Sequence, residues 1–161
     1  MNHTSEYDFT IICPVYNEQE NIARLEEAFQ RDLPTAKRRT CVLFVDDGST
    51  DGSPDLLKLA CGRNAHFYYL SFTRNAGLSA ALKAGIDHTE SPLVGYIDAD
   101  LQTRPEDFER LLPLIPDPQL VTGVRTGRKD SLFKRFHTRF ANAYRMMMTH
   151  DCPADTGCPL K

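Results

Sequence analysis

The chain has 161 residues, 41% of them apolar and 25% charged, which fits one globular domain with a real core and excludes a disordered chain. Nineteen bases against 22 acids give a net charge of −3, which argues against a general nucleic-acid binder. The longest apolar runs are four or five residues, such as Val42-Leu43-Phe44-Val45, against the roughly 20 that a membrane-spanning helix needs.

In chain order, short apolar runs alternate with segments of helical period. Phe9–Cys13 reads as a strand. Glu18–Leu33 reads as a helix with Ile22, Leu25, Ala28 and Phe29 on one stripe. Thr40–Val45 is apolar almost throughout, as buried parallel strands are. Ser53–Cys61 is a helix with Pro54 in its first turn. A strand at Phe67–Phe72 precedes a helix at Leu78–His88, where Ala80, Ala81 and Ala84 leave room for a close neighbour. Val94–Ile97 is a fourth strand. Pro105–Leu112 is a helix that Thr103 would cap, with Glu106 and Asp107 in its first turn. Leu120–Thr122 is a fifth strand. The alternation predicts a doubly wound α/β fold with a mostly parallel sheet, whose ligands sit at the carboxyl ends of the strands.

Three polar clusters fall at those ends: Pro14-Val15-Tyr16-Asn17-Glu18, Asp46-Asp47-Gly48-Ser49-Thr50-Asp51-Gly52, and Asp98-Ala99-Asp100-Leu101-Gln102. In extended backbone, residues two apart point the same way, so Asp98, Asp100 and Gln102 would offer three oxygens to one hard cation, Mg²⁺ or Mn²⁺. Asp46 and Asp47 are more acid than a turn with a cap at Ser49 or Asp51 requires. A ligand-binding role follows, with Asp47 favoured over Asp46. No GxGxxG, GxxxxGK[ST], GxSxG or HExxH motif occurs, and His66, His88, His137 and His150 are scattered. The five cysteines are odd in number and lack CxxC spacing, so full disulfide pairing is impossible, a zinc knuckle is unsupported and a reducing cytosol fits best.

The last third is different in charge. Residues 125–145 hold seven bases and one acid, with Phe133, Phe136, Phe140 and Tyr144 at helical spacing. This is either a solvated helix face or an amphipathic helix whose bases attract anionic headgroups or a carrier phosphate. The final residues, DCPADTGCPLK, form a loop-like stretch without a helix stop, so the natural protein is expected to continue beyond it.

PVYNE, VDDGSTDG, RNAGLSAALKAGI, DADLQTRPE, VTGVR and DTGC, in this order and spacing, resemble the family-2 glycosyltransferases of GT-A fold. The polyprenyl-phosphate glycosyltransferases of the dolichyl-phosphate mannose synthase type are the nearest in look. The resemblance spans about residues 9–161 and implies one GT-A catalytic domain over 1–161, incomplete at its C-terminal end. It further implies that Pro14, Tyr16 and Glu18 contact the nucleotide, that Val45 and Asp47 flank and bind base and ribose, and that Asp98, Ala99, Asp100 and Gln102 form the metal and diphosphate site. Arg125 matches an arginine that reaches a donor or acceptor phosphate, and Asp155, Thr156 and Gly157 match a loop near the acceptor.

The implied activity is inverting transfer of a sugar from a GDP- or UDP-sugar to an acceptor, with Asp98, Asp100, Arg125 and Asp155 as the catalytic set. Polyprenyl phosphate is the favoured acceptor, for which no strong general base is needed. A hydroxyl acceptor, as on a polysaccharide, would call for a carboxylate base, with Asp155 the candidate. A non-catalytic nucleotide-sugar-binding domain stays open as a third reading. A haloacid-dehalogenase-type phosphatase would carry its DxD after the first strand, whereas here it follows the fourth. The resemblance places the protein on the cytoplasmic side, peripheral at the inner face of the membrane.

Overall fold

Four strands lie side by side in the order β3-β2-β1-β4, every neighbouring pair parallel. They are β1 (Phe9–Val15), β2 (Thr40–Asp46), β3 (Phe67–Ser71) and β4 (Leu93–Tyr96). A computed structural model describes residues 3–114 and Val121. The expected strand at Leu120–Thr122 lies outside these residues apart from Val121, which is in no strand. Arg125, the basic stretch 125–145 and Asp155, Thr156 and Gly157 also lie outside them. The helices are α1 (Gln19–Asp32), α2 (Ser53–Arg63), α3 (Leu78–Asp87) and the short α4 (Phe108–Leu111).

The sheet is covered on both faces because β2 is apolar on both. All seven of its residues are buried. Successive side chains of a strand point to opposite faces. Phe44 meets Phe29 of α1 and Phe67 of β3 edge-on, with centroids 5.5–6.1 Å apart across the three pairs. Its neighbours Leu43 and Val45 instead join Ile12 and Ala81 of α3. Helices on two faces of a parallel sheet make the doubly wound arrangement. The close approach expected along the alanines of α3 falls at Ala81 and one turn later at Gly85. A Cβ built on Gly85 would stand 2.7 Å from Ile12 Cγ2, so only hydrogen fits there.

The helix start near residue 105 differs from the expected cap. Thr103 Oγ1 is buried and has no hydrogen-bond partner among the described residues, whereas the Arg104 N–H donates to the Asp107 carboxylate at 3.3 Å. The segment begins as a 3₁₀ turn, Pro105–Asp107, and its shorter spacing lets the acid three residues on reach back to the chain entering the helix. β4 is drawn one residue earlier than its apolar run, yet Ile97 still donates to the Ile12 carbonyl at 3.1 Å.

Candidate functional site

The carboxyl ends of β1, β2 and β4 open onto one cleft of about 340 Å³. Pro14, Tyr16 and Glu18 line it from the loop after β1, Asp47 from the loop after β2, and Asp98, Ala99 and Asp100 from the segment after β4. Asn75, Gly77, Leu78 and Ala81 complete the wall.

Two loops are tied to each other before they reach the cleft. Asn17, in left-handed conformation at φ 55°, donates its N–H to Ser49 Oγ at 3.0 Å and accepts the Thr50 N–H on Oδ1 at 2.8 Å. The Glu18 N–H donates to Ser53 Oγ, and the Gly52 N–H to Gln19 Oε1. The N-cap of α2 is Gly52, not Asp51; Asp51, one residue earlier, accepts the Ser53 N–H at 2.9 Å. Ser49 does not cap that helix, its hydroxyl being engaged with Asn17. Most polar residues of the Asn17–Gln19 and Ser49–Ser53 runs therefore serve to fix the two loops.

Asp46 and Asp47 have different surroundings. Asp46 is buried; it accepts the Ser49 N–H on Oδ1 at 3.0 Å and the Ser71 hydroxyl on Oδ2 at 2.7 Å. Asp47 borders the cleft and accepts the Ala76 and Gly77 N–H groups at 2.7 and 2.9 Å, one on each oxygen. These amides sit at the N-terminus of α3, where a negative charge is favourably placed. Between them Gly48 takes φ 68°, and a Cβ there would stand 2.3 Å from the Arg74 carbonyl carbon. The glycine lets the 74–77 loop close over the end of β2. That loop and the first turn of α3 are the wall for which the sequence reading named no residue. The signal was present in the RNAGLSAALKAGI run, since a Gly just ahead of a helix marks a turn, but its partner is Asp47, 30 residues away.

The strand ends at Tyr96 and the chain turns at Ala99 and Asp100, with Leu101 at φ 61°. The two acids therefore reach the cleft from a turn, not as alternate residues of a strand. Asp98 is half-buried and accepts the Tyr96 hydroxyl on Oδ1; Asp100 is exposed and accepts the Gln102 N–H on Oδ1 at 3.0 Å. Oδ2 of each has no partner among the described residues. Gln102 is exposed and is not part of the cleft lining, and Val45 is fully buried within β2 beneath it. Burial raises the Tyr96 phenol above its ordinary range, and its bond to Asp98 adds to this. Cys13, fully buried in β1, is likewise pushed up by burial and then by the charges of Asp98, Glu18 and Asp100, so it stays a neutral thiol.

Among the described residues the cleft lining thus carries four carboxylates, Glu18, Asp47, Asp98 and Asp100, and no lysine, arginine or histidine. The donor set fits a divalent cation in one respect. Two carboxylates with one unpartnered oxygen each suit a hard ion that keeps several water or phosphate ligands, as Mg²⁺ and Mn²⁺ do. No group of three or more acidic, histidine or cysteine side chains able to enclose a metal occurs among the described residues.

The model of the glycosyl transferase family 2 matches residues 10–157. The chain belongs to that family. It is 33% identical over 154 residues to undecaprenyl-phosphate 4-deoxy-4-formamido-L-arabinose transferase of Salmonella choleraesuis (strain SC-B67), covering 94% of this chain and 47% of the relative. It therefore spans about half the length of the curated relatives it matches. Among solved structures it shares the fold of a mannosyltransferase from Pyrobaculum calidifontis in complex with GDP-Man and Mn²⁺. The TM-score is 0.63 and the identity 24%, over 76% of this chain and 37% of that one. Glucosyl-3-phosphoglycerate synthase from Mycobacterium tuberculosis, in complex with Mn²⁺, UDP-Glc and phosphoglyceric acid, also has a TM-score of 0.63, at 16% identity over 89% and 51% of the two chains. The fold of this chain is the GT-A fold of these enzymes.

Proposed function

We propose that this chain carries the donor site of a metal-dependent, inverting glycosyltransferase that moves a sugar from a nucleoside-diphosphate sugar to polyprenyl phosphate. The observation that carries the reading is the acidic cleft at the carboxyl edge. A diphosphate entering among Glu18, Asp47, Asp98 and Asp100, with no basic side chain among the described residues of the lining, calls for a cation between it and these carboxylates. Asp98 and Asp100 would hold Mg²⁺ or Mn²⁺, which would supply Lewis-acid stabilisation of charge on the departing diphosphate. Gln102 is the weaker third candidate, since only its backbone touches the pair.

The protein's own groups do the positioning. Tyr16, 45% exposed at the cleft, and Pro14 offer an apolar wall for the base, and Asn75 adds amide donors and acceptors to the same lining. Asp47 keeps the 75–77 loop in place and brings its charge to the same wall. A lipid phosphate is already anionic near neutral pH, so transfer to it requires orientation and charge compensation more than a base. Arg125 and the bases up to Arg145 are the proposed source of that compensation and of attraction to an anionic membrane surface, with Asp155 near the acceptor. A peripheral place at the cytoplasmic face fits this, and no helix among the described residues is long and apolar enough to cross a membrane. The name of the Salmonella relative supports undecaprenyl phosphate as the acceptor class.

The test is a panel of UDP, GDP and their sugars read by thermal shift, with and without Mn²⁺. A nucleotide that binds the folded chain selectively adds about 2.7 kcal/mol of stability at 100 times its dissociation constant. One nucleotide should stabilise most, and clearly more with the metal than without it. Equal or absent shifts throughout the panel would exclude a metal-dependent donor site.

A further inference from the structure

Tyr96 is the last residue of β4, paired in register with Ile12, and it is half-buried. Its hydroxyl donates to Oδ1 of Asp98, two residues further on. That oxygen is engaged before any ligand arrives, and Oδ2 alone is left without a partner among the described residues. Asp100 is arranged in the same way, Oδ1 being taken by the Gln102 N–H. In each acid the hydrogen bond to Oδ1 would compete with binding of a cation by both oxygens.

Denticity discriminates between ions. Ca²⁺ takes six to eight oxygens and readily uses both oxygens of one carboxylate, whereas Mg²⁺ demands a compact octahedron and takes carboxylates one oxygen at a time. We infer that Tyr96 is a specificity-determining positioning residue, which holds Asp98 in one-oxygen presentation and so favours Mg²⁺ or Mn²⁺ over Ca²⁺. The inference rests on the proposed cation site at Asp98 and Asp100 and adds to it a residue that neither touches the ion nor belongs to the acid motif. Tyr96→Phe removes the donor, keeps the ring and frees Oδ1 for two-oxygen binding.

The experiment measures Mn²⁺ binding to the full chain by the spin-resonance signal of the free ion, with UDP or GDP present, and then titrates Ca²⁺ to displace it. Wild type, Tyr96→Phe and Asp98→Asn are compared at matched melting temperature. Tyr96→Phe should weaken Mn²⁺ binding by about 10-fold, the lower end for loss of a group that orients a ligand. It should also reduce the excess of Ca²⁺ needed for displacement by a clearly larger factor. A general loosening of the strand would instead weaken both ions alike. Tyr96→Leu, a second side chain without a donor, serves if the phenylalanine variant does not fold. An unchanged Ca²⁺ to Mn²⁺ preference in a folded variant overturns the role of Tyr96 while leaving the site intact, provided that Asp98→Asn loses the metal. Wild type without nucleotide-linked Mn²⁺ binding, or Asp98→Asn that binds as wild type, overturns the cation site itself and this inference with it.

Discussion

Asp46 and Asp47 engage all four of their carboxylate oxygens with groups of the protein, whereas Asp98 and Asp100, at the same edge of the sheet, each keep Oδ2 without a partner among the described residues. Both are pairs of acids at strand ends, and in the sequence they look equally suited to a ligand. The first pair ties loops together: Asp46 joins its own turn to Ser71 at the end of β3, and Asp47 joins β2 to the start of α3. The second pair is held from one side only and faces the cleft. The number of oxygens left over, more than the number of acids, separates a structural carboxylate from one available to a cation. Asp47 is intermediate, since it lines the cleft while its oxygens are engaged.

Asp100→Asn gives the largest effect expected from this contrast. The exposed side chain makes one bond, to the Gln102 N–H, which the asparagine oxygen can keep. Stability should therefore stay within about 0.5 kcal/mol. Metal-dependent nucleotide binding should fall by at least about 100-fold, beyond the usual loss for a group that merely orients a ligand. Calorimetric titration with Mn²⁺ present checks it; unchanged affinity would return Asp100 to the class of structural acids.

Asp47→Ala should behave in the opposite way. It leaves the Ala76 and Gly77 N–H groups without their acceptor, at about 1–3 kcal/mol for each group left unpaired. Ala76 is exposed, so water can replace its acceptor, and urea unfolding should show a loss of about 1–3 kcal/mol, the range for one group left unpaired. Nucleotide binding should weaken with or without metal, because the 75–77 wall is no longer held. A stable Asp47→Ala chain with a loss confined to metal-loaded binding would place Asp47 with the second pair. Gly48→Ala probes the same junction from the backbone. The positive φ and the 2.3 Å approach to Arg74 force the loop away, and a cost of about 1–3 kcal/mol is expected from overpacking alone, read in the same unfolding experiment.

Much of the fold is legible in the sequence because its signals are local. The run Thr40–Val45 can only be a strand buried on both faces, and the Ile22, Leu25, Phe29 stripe can only face a core. The gathering of the Tyr16, Asp47 and Asp98 regions at one edge follows from strand order alone. What the sequence does not disclose depends on partners far along the chain. Asp47 meets Ala76 and Gly77 only once β3 and the loop after it are in place. The turn at Ala99 and Asp100 replaces the extended geometry because Leu101 takes a left-handed conformation, which nothing about leucine announces. Tyr96 reads as an ordinary strand residue until its hydroxyl is seen at Asp98. Thr103 has the side chain of a cap, yet the 3₁₀ start of the helix gives that place to Arg104 and Asp107.

The smallest effect extends the contrast to an acid far from the cleft. Glu26 of α1 accepts Arg63 Nε and Nη2 at 3.1 and 2.5 Å and Asn64 Nδ2 at 3.0 Å, which joins α1 to α2. The Arg63 hydrogen bonds hold its carboxyl below the ordinary glutamate range, against an opposing effect of burial. A carboxyl with a lowered folded pKa adds stability that is fully present above about pH 4.3, the unfolded glutamate value, and is lost as pH falls through the lower folded value. Arg63 is 58% exposed, so solvent screens the pair and its worth stays under about 1 kcal/mol. Glu26→Gln should therefore lower stability slightly at pH 7, and the difference should shrink as pH falls below about 4.3, so that the two unfolding curves converge on acidification. Curves that stay parallel from pH 7 to pH 3 would mean that Glu26 stabilises by packing alone. Engaged oxygens would then be an unsafe guide to which acids hold this fold together, and the assignment of Asp46 and Asp47 would have to rest on their own variants.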